Sequence, residues 1–343
     1  MKKFKVGLSR DFLNNEGKVA LGTEGIDFLL QFDHIDYAFF DQHKSPVEAY
    51  QLQPFNAVIS LTPHYTKDSL TDTEDLLVIA RWGVGYDFID VQACTDADVA
   101  LTITPNGVRR PVAYSILTLM LALAHNLLAK SRLISEKRWD DRTLYPGKGI
   151  TGKTLGSIGL GNIAKEMFRM TDPFDMQKIA FDPYIDPAAA EKLGVELVSM
   201  DALCERSDFL AVNCFLSKET FHLISEKQFK QMKPSSFIIN TARGGIIDEK
   251  ALITALNEKW IAGAGLDVFE EEPFVTDSPL HHMENVIITP HSLCWTDELY
   301  KGIWKEAAES VVKFSRGEIT ANVVNKDVLQ KPGFLKKLDR LKC

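Results

Sequence analysis

Three residues able between them to move a proton and hold an anion lie in the second half of the chain. They are Arg243 in "TARGG", Glu272 in "FEEEP" and His291 in "NVIITPHSLCW". An imidazole ionises near neutral pH, so His291 can give a proton to a carbonyl oxygen or take one back. Glu272, just before Pro273, can hydrogen-bond the other ring nitrogen and favour the imidazolium. The guanidinium of Arg243 is a planar fork suited to a carboxylate and an adjoining carbonyl, and the two glycines after it allow close backbone approach. A lone histidine ending an apolar strand is more often a core or capping group, so His291 gains its meaning from its company.

That company includes a glycine pattern, "TLGSIGLGNIAKE". Gly159 and Gly161 follow an apolar strand, Ala164 takes the third small position, and Asn162 and Ile163 open a helix. The first glycine makes a tight turn, the second admits a pyrophosphate, and the helix N-terminus favours its charge. The next strand, "KIAFD", ends on Asp182, 21 residues after Gly161. A carboxylate there accepts hydrogen bonds from both ribose hydroxyls and repels a 2′-phosphate, which points to NAD rather than NADP.

The elements that must position these groups are strands alternating with helices. A first series runs through "KVGLS", "DYAFF", "NAVIS", "LLVIAR" and "ALTIT", and the rhythm breaks at "TPNGVRRP". A second series starts at "TLGSIGLG" and ends at "NVIITP". Ser225 with Gln228, Asp248 and Thr296 are placed to start helices, and the helix after Thr296 carries the chain back to the first domain. Such alternation predicts an α/β protein with two doubly wound parallel-sheet domains. One domain comprises residues 1–108 plus 297–343, and the other, 109–296, is inserted in it. Gly161, Asp182, Cys214, Arg243, Asp267 and His291 each end a strand, so all six are expected at one carboxyl edge, with His291 beside the nicotinamide.

The blocks "KTLGSIGLGNIAKE", "INTARGGIIDEKAL", "AGAGLDVFEEEP" and "VIITPH" occur in that order. With them the chain resembles the D-isomer-specific 2-hydroxyacid dehydrogenase family over essentially its whole length. The segment "ARWGVGYDFIDV" matches the one with which that family holds its substrate's carboxylate. The resemblance implies a Rossmann NAD domain within a flavodoxin-like substrate domain, and a homodimer paired through the long apolar helix. It implies Arg243, Glu272 and His291 as the catalytic set and Asp267 as the partner of the nicotinamide carboxamide. Thr241, Ala242 and Cys214 would line the cofactor. Arg81 and Trp82 would shape the substrate pocket, and the Val84 and Gly85 amides would meet a carboxylate. The reaction implied interconverts a 2-keto acid and a D-2-hydroxy acid. Glyoxylate or hydroxypyruvate, 3-phosphoglycerate and a longer sugar acid all remain open. A second class is kept beside it: the C-terminal-binding-protein corepressors share the fold and the cofactor site and act mainly by binding partners.

Two departures from the family pattern stand out. "HSLCWT" has Leu293 and Cys294 where a Gly-Gly pair is common, and Trp295 either walls the pocket or staples the next helix. Tyr114 stands where many relatives have glutamate. Arg109 and Arg110 either meet a second anionic group or form a solvated hinge with an ion pair.

Composition narrows the rest. The 343 residues are 45% hydrophobic and 25% charged with net charge -8, a soluble globular profile without the basic footprint of a nucleic-acid binder. Cys94, Cys204, Cys214, Cys294 and Cys343 are widely spaced, favouring reduced thiols in the cytoplasm. The run 112–129 is interrupted by Tyr114, Ser115, His125 and Asn126, so a buried helix is expected there rather than a membrane span. His281 and His282 lack partners at ligand spacing, and no metal is expected. The chain ends soon after its returning helix, so no appended regulatory domain is expected.

Overall fold

The computed structural model describes residues 3–274 and 277–343. The chain divides into two compact units: the residues up to Val108 together with Trp295–Cys343, and Arg109–Cys294. The second boundary falls two residues before the expected one, since the Trp295 ring meets Tyr300 of the first unit edge-on at 6.4 Å.

The first unit is a five-stranded sheet of β1 (Phe4–Leu8), β2 (Ile35–Phe39), β3 (Ala57–Ser60), β4 (Val78–Arg81) and β5 (Ala100–Thr102). The order is β2-β1-β3-β4-β5 and every pairing is parallel. Continuous apolar runs such as Ala57–Ile59 are buried on both faces, as a parallel sheet requires. The helix Asp297–Ser315, capped by Thr296 at the Leu299 amide, returns to this sheet. Its Trp304 packs on Phe12 at 4.7 Å, and its indole N–H donates to the Leu21 carbonyl at 2.6 Å. Burying one such ring contributes about 1.5–3 kcal/mol.

The strand rhythm breaks at "TPNGVRRP" as expected, and the long helix begins within that segment rather than after it, spanning Pro105–Ala124. A proline suits a first helical position. The Glu306 carboxylate accepts the Asn106 and Gly107 amides at 3.0 and 3.2 Å, so a distant side chain nucleates the turn. By length and composition this helix could cross a membrane. Here Ile116, Leu119, Met120 and Leu123 are buried in the core of the second unit. The helix stops at Asn126, which has a left-handed φ of 51°, and a second one, Leu127–Ser135, follows.

The second unit is a seven-stranded parallel sheet: β6 (Thr154–Ile158), β7 (Gln177–Phe181), β8 (Glu196–Leu197), β9 (Phe209–Val212), β10 (Phe237–Asn240), β11 (Gly263–Leu266) and β12 (Val286–Ile288). The order β12-β11-β10-β9-β6-β7-β8 places a topological switch between β6 and β9, the position at which such sheets bind ligands. Ser225 with Gln228 forms the expected capping box, and Asp248 accepts the Ala251 amide at 3.0 Å.

Candidate active site

The turn after β6 lies at the switch point. Gly159 has φ 88°, and a β-carbon there would stand 2.9 Å from the Asn213 carbonyl oxygen and 3.1 Å from the Cys214 amide. Only glycine satisfies both the conformation and the fit to β9. At Gly161 a β-carbon would meet nothing within 4 Å, so open space lies over the turn. Among the described residues no side chain caps the helix Asn162–Met170, which begins there with Asn162 and Ile163. An open cradle at an uncapped helix N-terminus fits a pyrophosphate. The Thr241 hydroxyl, buried and without a hydrogen-bond partner among the described residues, also fits a bound ligand's polar group.

Asp182 follows β7 directly. One carboxylate oxygen accepts the Leu160 amide at 2.8 Å, and the other accepts Tyr184 and Ile185 at 2.9 and 3.2 Å. The acid therefore braces the glycine turn, a role its spacing alone did not show. Cys214 is partly buried, and burial pushes its thiol up to about 11, leaving a packing group rather than a thiolate. Cys294 is likewise raised by burial, to about 12.

Arg243, Glu272 and His291 converge within the second unit. Asn240, buried at the end of β10, accepts the Ala242 amide at 3.0 Å and donates to the Arg243 carbonyl at 2.9 Å, which shapes the turn carrying Arg243. Nothing in the sequence beyond a polar residue closing a buried strand hinted at that role. A β-carbon on Gly244 would stand 1.8 Å from the Phe269 carbonyl carbon. The turn is thus pressed against the loop bearing Glu272. Of the two glycines only Gly244 is required, since the nearest atom to a Gly245 β-carbon is 3.4 Å away.

Glu272 accepts the Phe269 amide at 3.0 Å through one oxygen, and the other lies 2.7 Å from His291 Nδ1. Burial would raise this carboxyl. The hydrogen bond and charge of His291, the Phe269 amide and the charge of Arg243 outweigh it, and the group sits below the ordinary glutamate value. An ionised carboxylate only accepts, so Nδ1 is the protonated nitrogen and Nε2 is left for other work. His291 itself has φ 50°, a conformation a histidine holds only where its surroundings impose it. Asp267 does much of the imposing. It is 3% exposed and accepts Thr289 Oγ1 at 2.6 Å, the Ser292 amide at 3.1 Å and the Leu293 amide at 3.2 Å. Burial raises its pKa against these donors.

In the first unit, Arg81 folds back onto its own loop, donating from Nε to the Gly85 carbonyl at 2.8 Å and from Nη1 to Trp82. Among the described residues the Val84 and Gly85 amides meet no acceptor. Trp82 departs from expectation. It is 2% exposed, packed with Phe12, Trp304 and Tyr300, so its indole fills the core rather than a pocket wall. In the second unit, Arg109 lies 3.6 Å from Glu166, and Arg110 donates to the Tyr114 hydroxyl at 2.8 Å. The contact of Arg109 is an ion pair, whereas that of Arg110 is a hydrogen bond that gives Tyr114 a partner.

Residues 117–292 match the family model described as D-isomer specific 2-hydroxyacid dehydrogenase, NAD binding domain. The chain is 36% identical over 315 residues to a glyoxylate reductase of Thermococcus litoralis, covering 89% of this chain and 94% of that protein. The chain belongs to the D-isomer-specific 2-hydroxyacid dehydrogenase family. Its relatives in that family include a D-3-phosphoglycerate dehydrogenase of Methanocaldococcus jannaschii, 43% identical over 261 residues. The match to that dehydrogenase covers 76% of this chain and 49% of the relative. A solved glyoxylate reductase from Paecilomyes thermophila aligns with TM-score 0.81 at 27% identity, over 94% of this chain and 99% of that one. The second unit of this dehydrogenase is therefore an NAD-binding domain.

Proposed function

We propose that this dehydrogenase interconverts a 2-keto acid and a D-2-hydroxy acid, with His291 as general acid and base. The observation that carries the reading is the 2.7 Å contact between Glu272 and His291 Nδ1, which leaves Nε2 for proton transfer. In reduction Nε2–H gives its proton to the carbonyl oxygen; in oxidation the neutral nitrogen takes it from the hydroxyl. Glu272 holds the ring's orientation and balances the imidazolium charge. Arg243 pairs with the substrate carboxylate and polarises the carbonyl. The free amides of Val84 and Gly85 are assigned to carboxylate binding, with Arg81 organising their loop.

When bound, the cofactor would supply the hydride as NADH in reduction and accept it as NAD⁺ in oxidation. Gly159, Gly161, Asn162 and Ile163 would hold its pyrophosphate, and Asp182, with three of about four acceptor positions in use, would take a ribose hydroxyl. Cys214, Thr241 and Ala242 would line the groove. Asp267 braces the His291 loop and would also meet the nicotinamide carboxamide.

Small 2-keto acids such as glyoxylate or hydroxypyruvate are favoured, since a relative matched over 94% of its length is named glyoxylate reductase. Arg109 and Arg110, the cations that could meet a second anionic group, already have partners. Leu127, Ile134, Trp139 and Leu144, between 56% and 69% exposed, support a homodimer through this apolar strip. Five free cysteines suit a cytoplasmic setting.

The test is NADH oxidation by the purified chain with glyoxylate, hydroxypyruvate, pyruvate and 3-phosphohydroxypyruvate. Turnover of at least one is expected. Tight NADH binding with no turnover of any would overturn the catalytic reading, and light scattering decides the dimer.

A further inference from the structure

The loop that supplies Glu272 to His291 supplies a second glutamate to a second histidine. Glu270 accepts from Nε2 of His222, which lies in the connection between β9 and β10. Like His291, His222 has φ 50°. Its main-chain N–H donates to the Gly245 carbonyl at 2.8 Å. Its ring stacks on Phe221 with centroids 3.9 Å apart and planes 16° from parallel, and Phe221 in turn covers Gly245. Another acidic group faces the imidazole from the start of the helix Glu249–Asn257, and the next residue holds the Glu270 main chain. Asp248 Oδ2 lies 4.0 Å from Nδ1, and Glu249 accepts the Glu270 amide at 3.4 Å.

An exposed ion pair by itself contributes little. This one differs because its two ends belong to different parts of the chemistry. Through its backbone His222 grips the turn that carries Arg243, and through its side chain it grips the loop that carries Glu272. A left-handed backbone at a histidine is costly unless its surroundings over-determine it, and here contacts on both sides do so.

We propose that His222 is a positioning residue for the reaction, clamping the Arg243 turn to the Glu272 loop so that guanidinium, carboxylate and imidazole stay in register. The inference rests on the catalytic reading given above. Small misplacements of such groups cost rate steeply, because the reacting geometry tolerates only about an ångström.

The test uses the full chain with NADH and the best keto acid of the panel. His222→Ala is expected to lower kcat about tenfold with the Kd for NADH unchanged, a split that general loosening would not produce. His222→Gln, whose amide can still donate to Glu270, should recover most of the rate. Glu270→Ala should reproduce the loss, and the double variant should fall no further than either single, as two ends of one clamp require. Should His222→Ala not fold, Glu270→Ala carries the same measurements. A second readout is independent of turnover: the Nδ1 proton resonance of His291, identified by its disappearance in His291→Gln, should shift or broaden in His222→Ala. Unchanged rate and unchanged resonance overturn the clamp, as does NADH affinity that falls in step with the rate. If the wild-type chain turns over no keto acid, the catalytic reading fails, and the resonance alone then decides for or against the clamp.

Discussion

Glu270 and Glu272 stand two residues apart in one loop and hold two different histidines, His222 and His291. Both histidines have left-handed backbones, and each glutamate fixes one of them to the same short segment. The loop is thus tied at two points, one at the proposed proton-transfer group and one beside the turn of Arg243.

Acid should release the first tie. Glu272 lies below its ordinary value of 4.5, because the donors around it outweigh burial. A folded-state pKa below the unfolded one means that the stabilisation is fully present above about pH 5 and is lost as pH falls through the lower value. Thermal melts of the wild type and Glu272→Gln should therefore differ most above about pH 5 and converge on acidification. A gap that stays constant down to about pH 3 would contradict the assigned contact.

Arg243→Ala should lower kcat/KM for the keto acid by at least about a hundredfold, the scale on which a single preorganised donor matters. Arg243→Lys should recover only part, since a single ammonium cannot match a fork that grips two oxygens. Steady-state kinetics near neutral pH measure both, and a nearly unchanged Ala variant would remove the carboxylate clamp.

Asp182 should make NADH the better cofactor by kcat/KM. Asp182→Asn keeps an acceptor for the Leu160 amide while removing the charge, so the NADH preference should narrow by about tenfold, about 1.4 kcal/mol. NADPH outperforming NADH in the wild type would overturn the assignment.

The two glycines after Arg243 should behave unequally. Gly244→Ala drives a methyl group into the Phe269 carbonyl, and destabilisation of about 3 kcal/mol or failure to fold is expected. Gly245→Ala meets the Phe221 ring at 3.4 Å and Leu216 at 3.6 Å, ordinary contacts, and should change stability by less than about 1 kcal/mol. Urea denaturation of both variants separates the outcomes, and equal losses would mean the close approach is not as described.

How far the site was legible depended on which residues were local to a strand end. Gly159, Gly161 and Asp182 stood out because the fingerprint lies within one strand, turn and helix, and the next strand ends on the acid. His291 stood out because an apolar run stopped on it. Trp82 misled for the same reason: beside the glycines of "GVGYD" it reads as pocket, whereas Phe12 and Trp304, far away in sequence, enclose it. The start of the helix Pro105–Ala124 was hidden because Glu306, about two hundred residues later, supplies its cap.

From the order of apolar runs and the residues that close them, the sequence by itself determined two parallel sheets, a carboxyl edge and the groups gathered there. Hydrophobic period and strand-end chemistry are properties of neighbouring residues, so they survive without coordinates. Only the tertiary structure decided that Asp267 braces the His291 loop, that Gly244 and not Gly245 is sterically required, and that His222 meets Glu270. Each of these depends on segments brought together across the fold, as His222 and Glu270 are across 48 positions, and no local pattern encodes which distant atoms will touch.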